Sequence, residues 1–264
     1  MIATLKQVAE LAGVSRSAVS RTFTQGASVS EKTRLKVQAA AVQLGYSPNI
    51  LARSLTTRST RLIGLVSNNF HNPVFLQIFD LFTRGLQEKG LRPLLVNLSE
   101  ETDPARSVQL LRQYSVDGVI VASSTLPSEF ARAFRDAGVP VVHAFGRATT
   151  APEVHVVGID NIHSGHLAAQ ELIRRGYRHI GFMGGPEQAS TTQDRLAGFR
   201  AKAASHPDVT VVASFAAAYS FEAGRAEMTR LLAEDRAEAY FCGDDVLSIG
   251  QMHSDADAPT DSTS

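Results

Sequence analysis

The sequence has 264 residues, of which 44% are hydrophobic and 20% charged, so it can bury a core, and its length favours two or three compact units. A single cysteine (Cys242) excludes an internal disulfide bond, no run of 18 apolar residues predicts a membrane helix, and no apolar signal-peptide region follows the N-terminus, a pattern typical of a cytoplasmic protein. The net charge of zero is distributed unevenly: residues 1–61 carry nine Lys or Arg against two Asp or Glu, while the other residues carry 17 against 24. The first 61 residues therefore form a basic head that would attract a polyanion.

Three short helices are predicted in the basic head. Thr4 and the glutamine three residues later form a capping box for the first helix, and Gly13 ends it. Ser15 can cap a second helix over residues 16–22, and a third helix is predicted over residues 30–44. The short turn between the first two helices is typical of a helix-turn-helix.

The second helix is the candidate DNA-reading element. It exposes Arg16 and Ser17 at its N-terminal end, and Arg21 lies on an adjoining part of the same helix. An arginine in the major groove can form a bidentate pair with guanine that discriminates by about 1–3 kcal/mol. Short hydroxyl side chains near the helix starts are suited to holding phosphates. They are Thr4, Ser15, Ser20, Ser30 and Thr33. The alternative for each is a helix cap or a solvated surface side chain.

Several segments of the head resemble the LacI/GalR family of transcriptional regulators and follow one another with family-like spacing. The matching segments are Thr4–Ala9, Ala12–Ser15, Ala18–Arg21, Val29–Ser30, Thr33–Arg34, Leu44–Asn49 and Ala52–Leu55. The resemblance implies a helix-turn-helix DNA-binding domain over residues 1–48. It also implies that Arg16, Ser17 and Arg21 are the base-reading positions.

The same resemblance implies a hinge helix and linker over residues 49–60, which becomes ordered when two subunits meet on DNA. Asn49, Arg53 and Leu55 would then contact DNA. A leucine at the position of Leu55 wedges into the minor groove in the family, and such a wedge bends the duplex so that it contacts more protein surface. The alternative is that Leu55 packs within a linker helix.

The body, residues 61–250, alternates short apolar runs with amphipathic segments. Strands are predicted at 62–66, 94–96, 119–121, 139–142, 154–159, 180–183, 209–213 and 239–241. Helices are predicted at 74–89, 105–114, 129–137, 163–175, 192–204 and 221–233. This alternation is typical of parallel sheets covered on both faces. Eight strands exceed one compact domain, so we expect two α/β lobes with a cleft between them, the architecture of a periplasmic binding protein.

Ligands of such folds bind at the carboxyl ends of the strands. The loops there, with their first helical residues, contain the aromatic, cationic and acidic side chains that a pocket for a small polar molecule uses. They are Asn72, Phe75, Phe145, Arg147, Thr191, Arg195, Tyr219 and Asp244. Spacing alone leaves open that Arg195 pairs with a carboxylate and that Phe75 belongs to the core.

The LacI/GalR resemblance continues into the effector-binding core. The matching segments are 72–75, 158–161, 176–180, 184–186 and 195–199. The resemblance implies that Arg195 grips the effector and that Phe75 and Tyr219 pack against it. Asp244 and Asp245 stand where the family usually has Asn-Asp, and a carboxylate only accepts hydrogen bonds where an amide also donates.

Motifs of catalysis and metal binding are absent from the sequence. There is no G-x-x-x-x-G-K-[ST], G-x-G-x-x-G or G-x-S-x-G, and the eight histidines show no H-x-x-x-H or H-E-x-x-H spacing. We therefore predict no enzyme, no cofactor and no metal site.

The resemblance to the family stops near Gly250. The remaining residues, 251–264, are small, polar and acidic and predict a disordered tail. Family members usually continue for several more strands and helices, so the resemblance implies a chain truncated or frame-shifted at its C-terminus, with an incomplete second lobe.

These observations predict a transcriptional regulator, most simply a repressor, that binds near-palindromic double-stranded DNA as a homodimer. A small-molecule effector such as a sugar or related metabolite would control it. Three alternatives stay open: a poorly functional truncated remnant, a solute-binding protein without a DNA role, and an enzyme. The basic head and the absence of a signal peptide argue against the solute-binding protein, and no motif favours the enzyme.

Overall fold

A computed structural model of the chain describes residues 3–24, 26–48, 54, 59–70, 72–98, 103–147, 153–234 and 236–256, with side chains described as far as Gly250. The chain divides after Thr60 into two compact units, a head and a body. Three of the predicted DNA contacts, Asn49, Arg53 and Leu55, lie outside the described residues.

The head contains the three predicted helices. They are α1 (Leu5–Ala12), α2 (Arg16–Thr22) and α3 (Glu31–Leu44). The capping box is confirmed, because the Gln7 N–H donates to Thr4 Oγ1 and the Thr4 N–H donates to Gln7 Oε1 at 2.8 Å. Ser15 and Ser30 cap α2 and α3 by accepting the backbone N–H three residues on. Each cap satisfies a donor that the first helical turn leaves unpaired.

The core of the head joins one apolar side chain from each helix. Val8, Val19 and Val37 are fully buried against one another. Gly13 ends α1 with φ +63°, a left-handed conformation that favours glycine. A Cβ at Gly13 would meet no atom within 4 Å, so the turn requires this glycine for its backbone angle and not for close helix packing.

The first lobe of the body is a five-stranded parallel sheet within the described residues, in the order β2-β1-β3-β4-β5. Its elements are β1 (Leu62–Ser67), α4 (Pro73–Glu88), β2 (Arg92–Asn97), α5 (Pro104–Gln113), β3 (Gly118–Ala122), α6 (Ser128–Asp136), β4 (Val141–Ala144) and β5 (His155–Val157). Successive residues of β1 face opposite layers, so Leu65 packs with α4 while Val66 packs with α5 and α6.

The second lobe has a three-stranded parallel sheet within the described residues, in the order β7-β6-β8. Its elements are α7 (Asn161–Arg174), β6 (His179–Gly184), α8 (Ser190–Ala204), β7 (Thr210–Phe215), α9 (Phe221–Glu234), β8 (Ala239–Cys242) and α10 (Asp245–Ala256). Phe182 and Phe199 are fully buried on the face that α7 and α8 cover, and Met228 and Leu247 on the face that α9 and α10 cover. The prediction of two α/β lobes is confirmed.

Helices α7 and α8 cross in direct backbone contact through two glycines. A Cβ at Gly165 of α7 would lie 1.9 Å from the backbone oxygen of Arg195, and a Cβ at Gly198 of α8 would lie 1.8 Å from that of Ile162. Real side chains do not approach so closely, so the crossing requires a residue without a Cβ at both positions. The glycines thereby fix the position of α8, which carries several of the candidate ligand residues.

The C-terminal end differs from the sequence-based expectation. Helix α10 continues through Ala256, so the predicted disordered tail, residues 251–264, is corrected for residues 251–256. The stretch contains no glycine or proline, and adding a residue to an existing helix costs far less than nucleating a new one. Residues 257–264 lie outside the described residues. Among the helices that the structure describes, none is both long and apolar enough to cross a membrane.

The glycine crossing generates a prediction about stability. We expect Gly198→Ala to lower the free energy of unfolding by about 1–3 kcal/mol, because its Cβ collides with backbone that cannot move without separating the helices. Urea denaturation of the purified chain measures the effect.

Gly85 in α4 is the matched control, since a Cβ there meets no atom within 4 Å. Gly85→Ala should raise stability by about 0.4–1 kcal/mol, because alanine restricts the unfolded chain more than glycine does. Equal effects of the two substitutions would refute the role assigned to the crossing.

Candidate DNA-reading surface and effector cleft

Helix α2 presents its polar side chains to solvent. Val19 is fully buried and anchors the helix, whereas Arg16, Ser17, Ser20 and Arg21 are exposed. No described residue forms a hydrogen bond or ion pair with the Arg16 guanidinium, which leaves all of its donors available. This is the arrangement that a major-groove reading helix requires, with one face in the core and the base-reading face in water.

Most of the predicted phosphate-binding hydroxyls have a second role as helix caps or cap partners. Ser15 Oγ lies 2.9 Å from Ser17 Oγ, and Ser30 Oγ lies 2.9 Å from Thr33 Oγ1, while each serine also accepts a backbone N–H. Thr4 shares its hydroxyl with Gln7. The capping alternative is therefore realised for Thr4, Ser15 and Ser30.

The first lobe contains an aromatic cluster that includes the predicted ligand positions Phe75 and Phe145. The rings of Phe75 and Phe145 lie 5.3 Å apart, and Phe75 also meets Phe79 at 6.1 Å. Both Phe75 and Phe145 are half-buried and pack at the edge of the first-lobe core. Phe145 has φ +68°, which is unusual for a bulky residue and marks a strained turn after β4.

Arg195 reaches from α8 toward the end of β8. Its Nε donates to Asn161 Oδ1 at 2.9 Å, and one Nη donates to the carbonyl oxygen of Gly243. Two of the five guanidinium N–H groups are used in these bonds to described residues, so donors remain for a ligand. Asn161 is itself buried at the start of α7, and the glycine crossing holds α7 and α8 together.

Asn72 and Asp244 join the two lobes. Asn72 Oδ1 caps α4 by accepting the Val74 N–H at 3.0 Å, and its Nδ2 donates to Asp244 Oδ2 at 3.1 Å. Asn72 is only 2% exposed, so it serves as a cap and an inter-lobe contact before any ligand is present. Burial raises the pKa of Asp244, and the hydrogen bonds from Val246 and Asn72 oppose that rise.

Tyr219 follows β7 in the second lobe. Its hydroxyl lies 3.2 Å from Thr191 Oγ1 and 3.1 Å from Thr192 Oγ1. A Cβ at Gly185 would lie 2.1 Å from the tyrosine ring, so the ring rests directly on this glycine. Tyr219 and Asn72 both line an inter-lobe cavity of about 770 Å³.

The same cavity contains polar side chains that the sequence analysis did not select. They are Asn68, Asn69, Thr125 and Gln188. Asn69 Nδ2 is buried without a hydrogen-bond partner among the described residues, so its N–H groups are available to a ligand. All four follow the carboxyl ends of strands, and Thr125 belongs to a hydroxyl-rich run at residues 123–125 that the sequence shows.

The structure therefore brings the predicted ligand residues to facing strand ends. Phe75, Phe145 and Asn72 come from the first lobe; Thr191, Arg195, Tyr219 and Asp244 come from the second. Within the part of the chain that the structure describes, no group of three or more His, Cys, Asp and Glu residues could hold a metal ion.

Two protein-family models match the chain. The model of bacterial regulatory proteins of the lacI family matches residues 4–49, and the model of periplasmic binding proteins and sugar binding domains of the LacI family matches residues 60–218. The two matches cover the head and most of the body.

Individual relatives match over nearly the whole chain. The HTH-type transcriptional repressor PurR of Proteus mirabilis is 34% identical over 95% of this chain and 75% of its own length. The sucrose operon repressor of Streptococcus mutans is 32% identical over 96% of this chain and 77% of its own length. The chain thus spans about three quarters of the length of these repressors.

Solved structures agree with the fold. The lac repressor dimer bound to operator and the anti-inducer ONPF superimposes with a TM-score of 0.83, at 25% identity, over 97% of this chain and 78% of its own. The transcriptional regulator CelR in complex with cellobiose gives a TM-score of 0.65, at 30% identity, over 96% of this chain and 77% of its own. The chain therefore belongs to the LacI family of bacterial transcriptional regulators.

Proposed function

We propose that this regulator binds a near-palindromic operator as a homodimer, with α2 of each head in the major groove, and that a small polar molecule in the cleft controls the binding. The observation that carries the proposal is the exposed Arg16, Ser17 and Arg21 face on a helix anchored by Val19. The lac repressor dimer bound to operator supports the dimeric arrangement.

We assign residues 1–48 to DNA reading, residues 49–60 to the connection and the chain from residue 61 to effector binding. The division of the chain after Thr60 supports this assignment. The basic charge of residues 1–61 supplies the attraction to phosphate, which releases counterions and makes the affinity depend steeply on salt. Base contacts from α2 then supply the sequence preference.

We assign the effector to the inter-lobe cleft. Arg195 offers unused donors, Asp244 offers a carboxylate acceptor, and Phe75 with Phe145 offers aromatic faces, a combination that suits a sugar or a related polar metabolite. Thr191 and Tyr219 would add hydroxyl contacts. The complex of CelR with cellobiose supports a sugar over other classes.

We propose no catalytic step, since the similar PurR protein and sucrose operon repressor are transcriptional repressors. The chain would act where the bacterial chromosome lies, in the cytoplasm.

The DNA assignment predicts a change of specificity on substitution. Arg16→Ala or Arg21→Ala should weaken binding to a preferred operator by about 10- to 100-fold, because each loses a base contact of about 1–3 kcal/mol. Discrimination should fall at one or two base pairs and persist at the others. Fluorescence anisotropy on duplexes with single base-pair changes measures both effects.

Lys89→Ala is the control, because Lys89 is an exposed cation of the body. It should leave the base preference unchanged. If Arg16→Ala and Arg21→Ala weakened binding to every duplex alike, the two arginines would be phosphate contacts and the base-reading role would be lost.

The effector assignment predicts loss of ligand stabilisation. A panel of mono- and disaccharides that includes cellobiose, together with nucleobases, should contain a compound that raises the melting temperature of the chain. Arg195→Gln should weaken the binding of that compound at least about tenfold, because a charge-assisted hydrogen bond is lost.

Arg200→Gln provides the matched control, since Arg200 is an exposed arginine of the same helix. It should retain the stabilisation in full. If the same compound stabilised the Arg195→Gln variant as much as the wild-type chain, Arg195 would not be a ligand contact.

A further inference from the structure

An ion pair joins the two lobes. Arg147 follows β4 in the first lobe, and Asp194 lies on α8 in the second lobe. Arg147 Nε lies 2.9 Å from Asp194 Oδ2, and an Nη lies 2.7 Å from Oδ1, so the pair is bidentate. The same guanidinium donates to Gln193 Oε1 at 3.3 Å. Bidentate pairing restricts the relative orientation of the two charged groups as well as their distance.

The arm that carries Arg147 is held rigidly. The Phe145 N–H donates to the Val157 carbonyl at 2.8 Å and fixes the strained turn at φ +68°. A Cβ at Gly146 would lie 2.8 Å from His143 Nδ1, so this glycine packs flat on a buried histidine ring. The His143 Nε2 in turn lies 2.9 Å from the Ser123 carbonyl oxygen.

The arm that carries Asp194 is equally rigid. Asp194 precedes Arg195, whose backbone oxygen lies against Gly165 in the α7–α8 crossing. The Asp194 side chain is 16% exposed and that of Arg147 48% exposed. Surface ion pairs usually contribute little because long side chains lose entropy when they pair. Here both backbones are fixed and one partner is largely buried, so less freedom is lost.

Other polar contacts between described residues also connect the lobes. The Ser190 N–H and hydroxyl donate to the Ser124 carbonyl oxygen at 3.1 and 3.3 Å, and Asn72 donates to Asp244 at 3.1 Å. Arg147, Gln193 and Ser190 line a cavity of about 890 Å³, which is large enough for a small molecule and shares Thr125 and Gln188 with the cavity that Tyr219 lines. The Arg147–Asp194 pair therefore stands at the wall of this cavity.

We propose that the Arg147–Asp194 pair is a latch that holds the two lobes closed before any ligand binds. Ligand entry then requires the pair to break, and the ratio of open to closed protein sets the apparent affinity of the cleft. The latch rests on the proposed function only for the location of the effector in this cleft. Closure by the ion pair itself requires neither DNA nor effector.

The distance between the lobes in the ligand-free chain tests the latch. Spin labels at Gln113→Cys in the first lobe and Ala201→Cys in the second lie at exposed positions far along their helices. The native Cys242 should label slowly, because burial raises its thiol pKa to about 11 and keeps it protonated. Electron–electron double resonance then reports the distribution of inter-lobe distances.

Arg147→Gln and Asp194→Asn should each raise the ratio of open to closed protein by about two- to fivefold, the range expected for a partly exposed pair. The reversed pair, Arg147→Asp with Asp194→Arg, should restore the wild-type distribution. Arg175→Gln, which removes an exposed arginine that pairs with Glu171 inside the second lobe, should leave the distribution unchanged.

Asp194→Asn keeps the size of the side chain and so guards against a failure to fold, which circular dichroism would reveal. Unchanged distances in both single variants would overturn the latch. That result would leave the assignment of the effector untouched, because ligand stabilisation through Arg195 is measured separately.

Discussion

The close crossing of α7 and α8 is the constraint on which the rest of the body depends. Gly165 and Gly198 allow the two backbones to touch, and the contact fixes the part of α8 that carries Asp194 and Arg195. These two neighbouring side chains make different contacts. Arg195 bonds to residues of the second lobe, and Asp194 pairs with Arg147 of the first lobe. The geometry of the cleft therefore depends on two glycines, each of which lies against the backbone of the other helix, at Arg195 and at Ile162.

The cleft of this chain is closed by its own polar groups. The carboxylate at Asp244, where an amide is usual in the family, accepts from Asn72 of the opposite lobe and is held by the Val246 N–H. Burial disfavours its ionised form, and the two hydrogen bonds compensate in part. In the proposed function, an effector that donates a hydrogen bond to Asp244 would replace the one from Asn72 and so link ligand recognition to separation of the lobes.

Most of the fold follows from sequence patterns, because caps and buried strands are local. The Thr4 capping box and the serine caps of α2 and α3 appear in the structure at the expected residues. The long-range contacts were not predictable: nothing local pairs Arg147 with Asp194 or Asn72 with Asp244, residues separated by 47 and 172 positions. Gly13 ends α1 as predicted, with φ +63°.

The most direct test of the account is selection of DNA by the purified chain from a random duplex library. The account predicts enrichment of a near-palindrome whose half-sites lie about one helical turn apart, since two copies of α2 must enter successive major grooves. Raising the salt concentration should lower the recovery of all duplexes while it sharpens the preference, because non-specific phosphate binding weakens most. A library that stays unenriched while the chain is folded would contradict the central claim that this protein is a sequence-specific regulator.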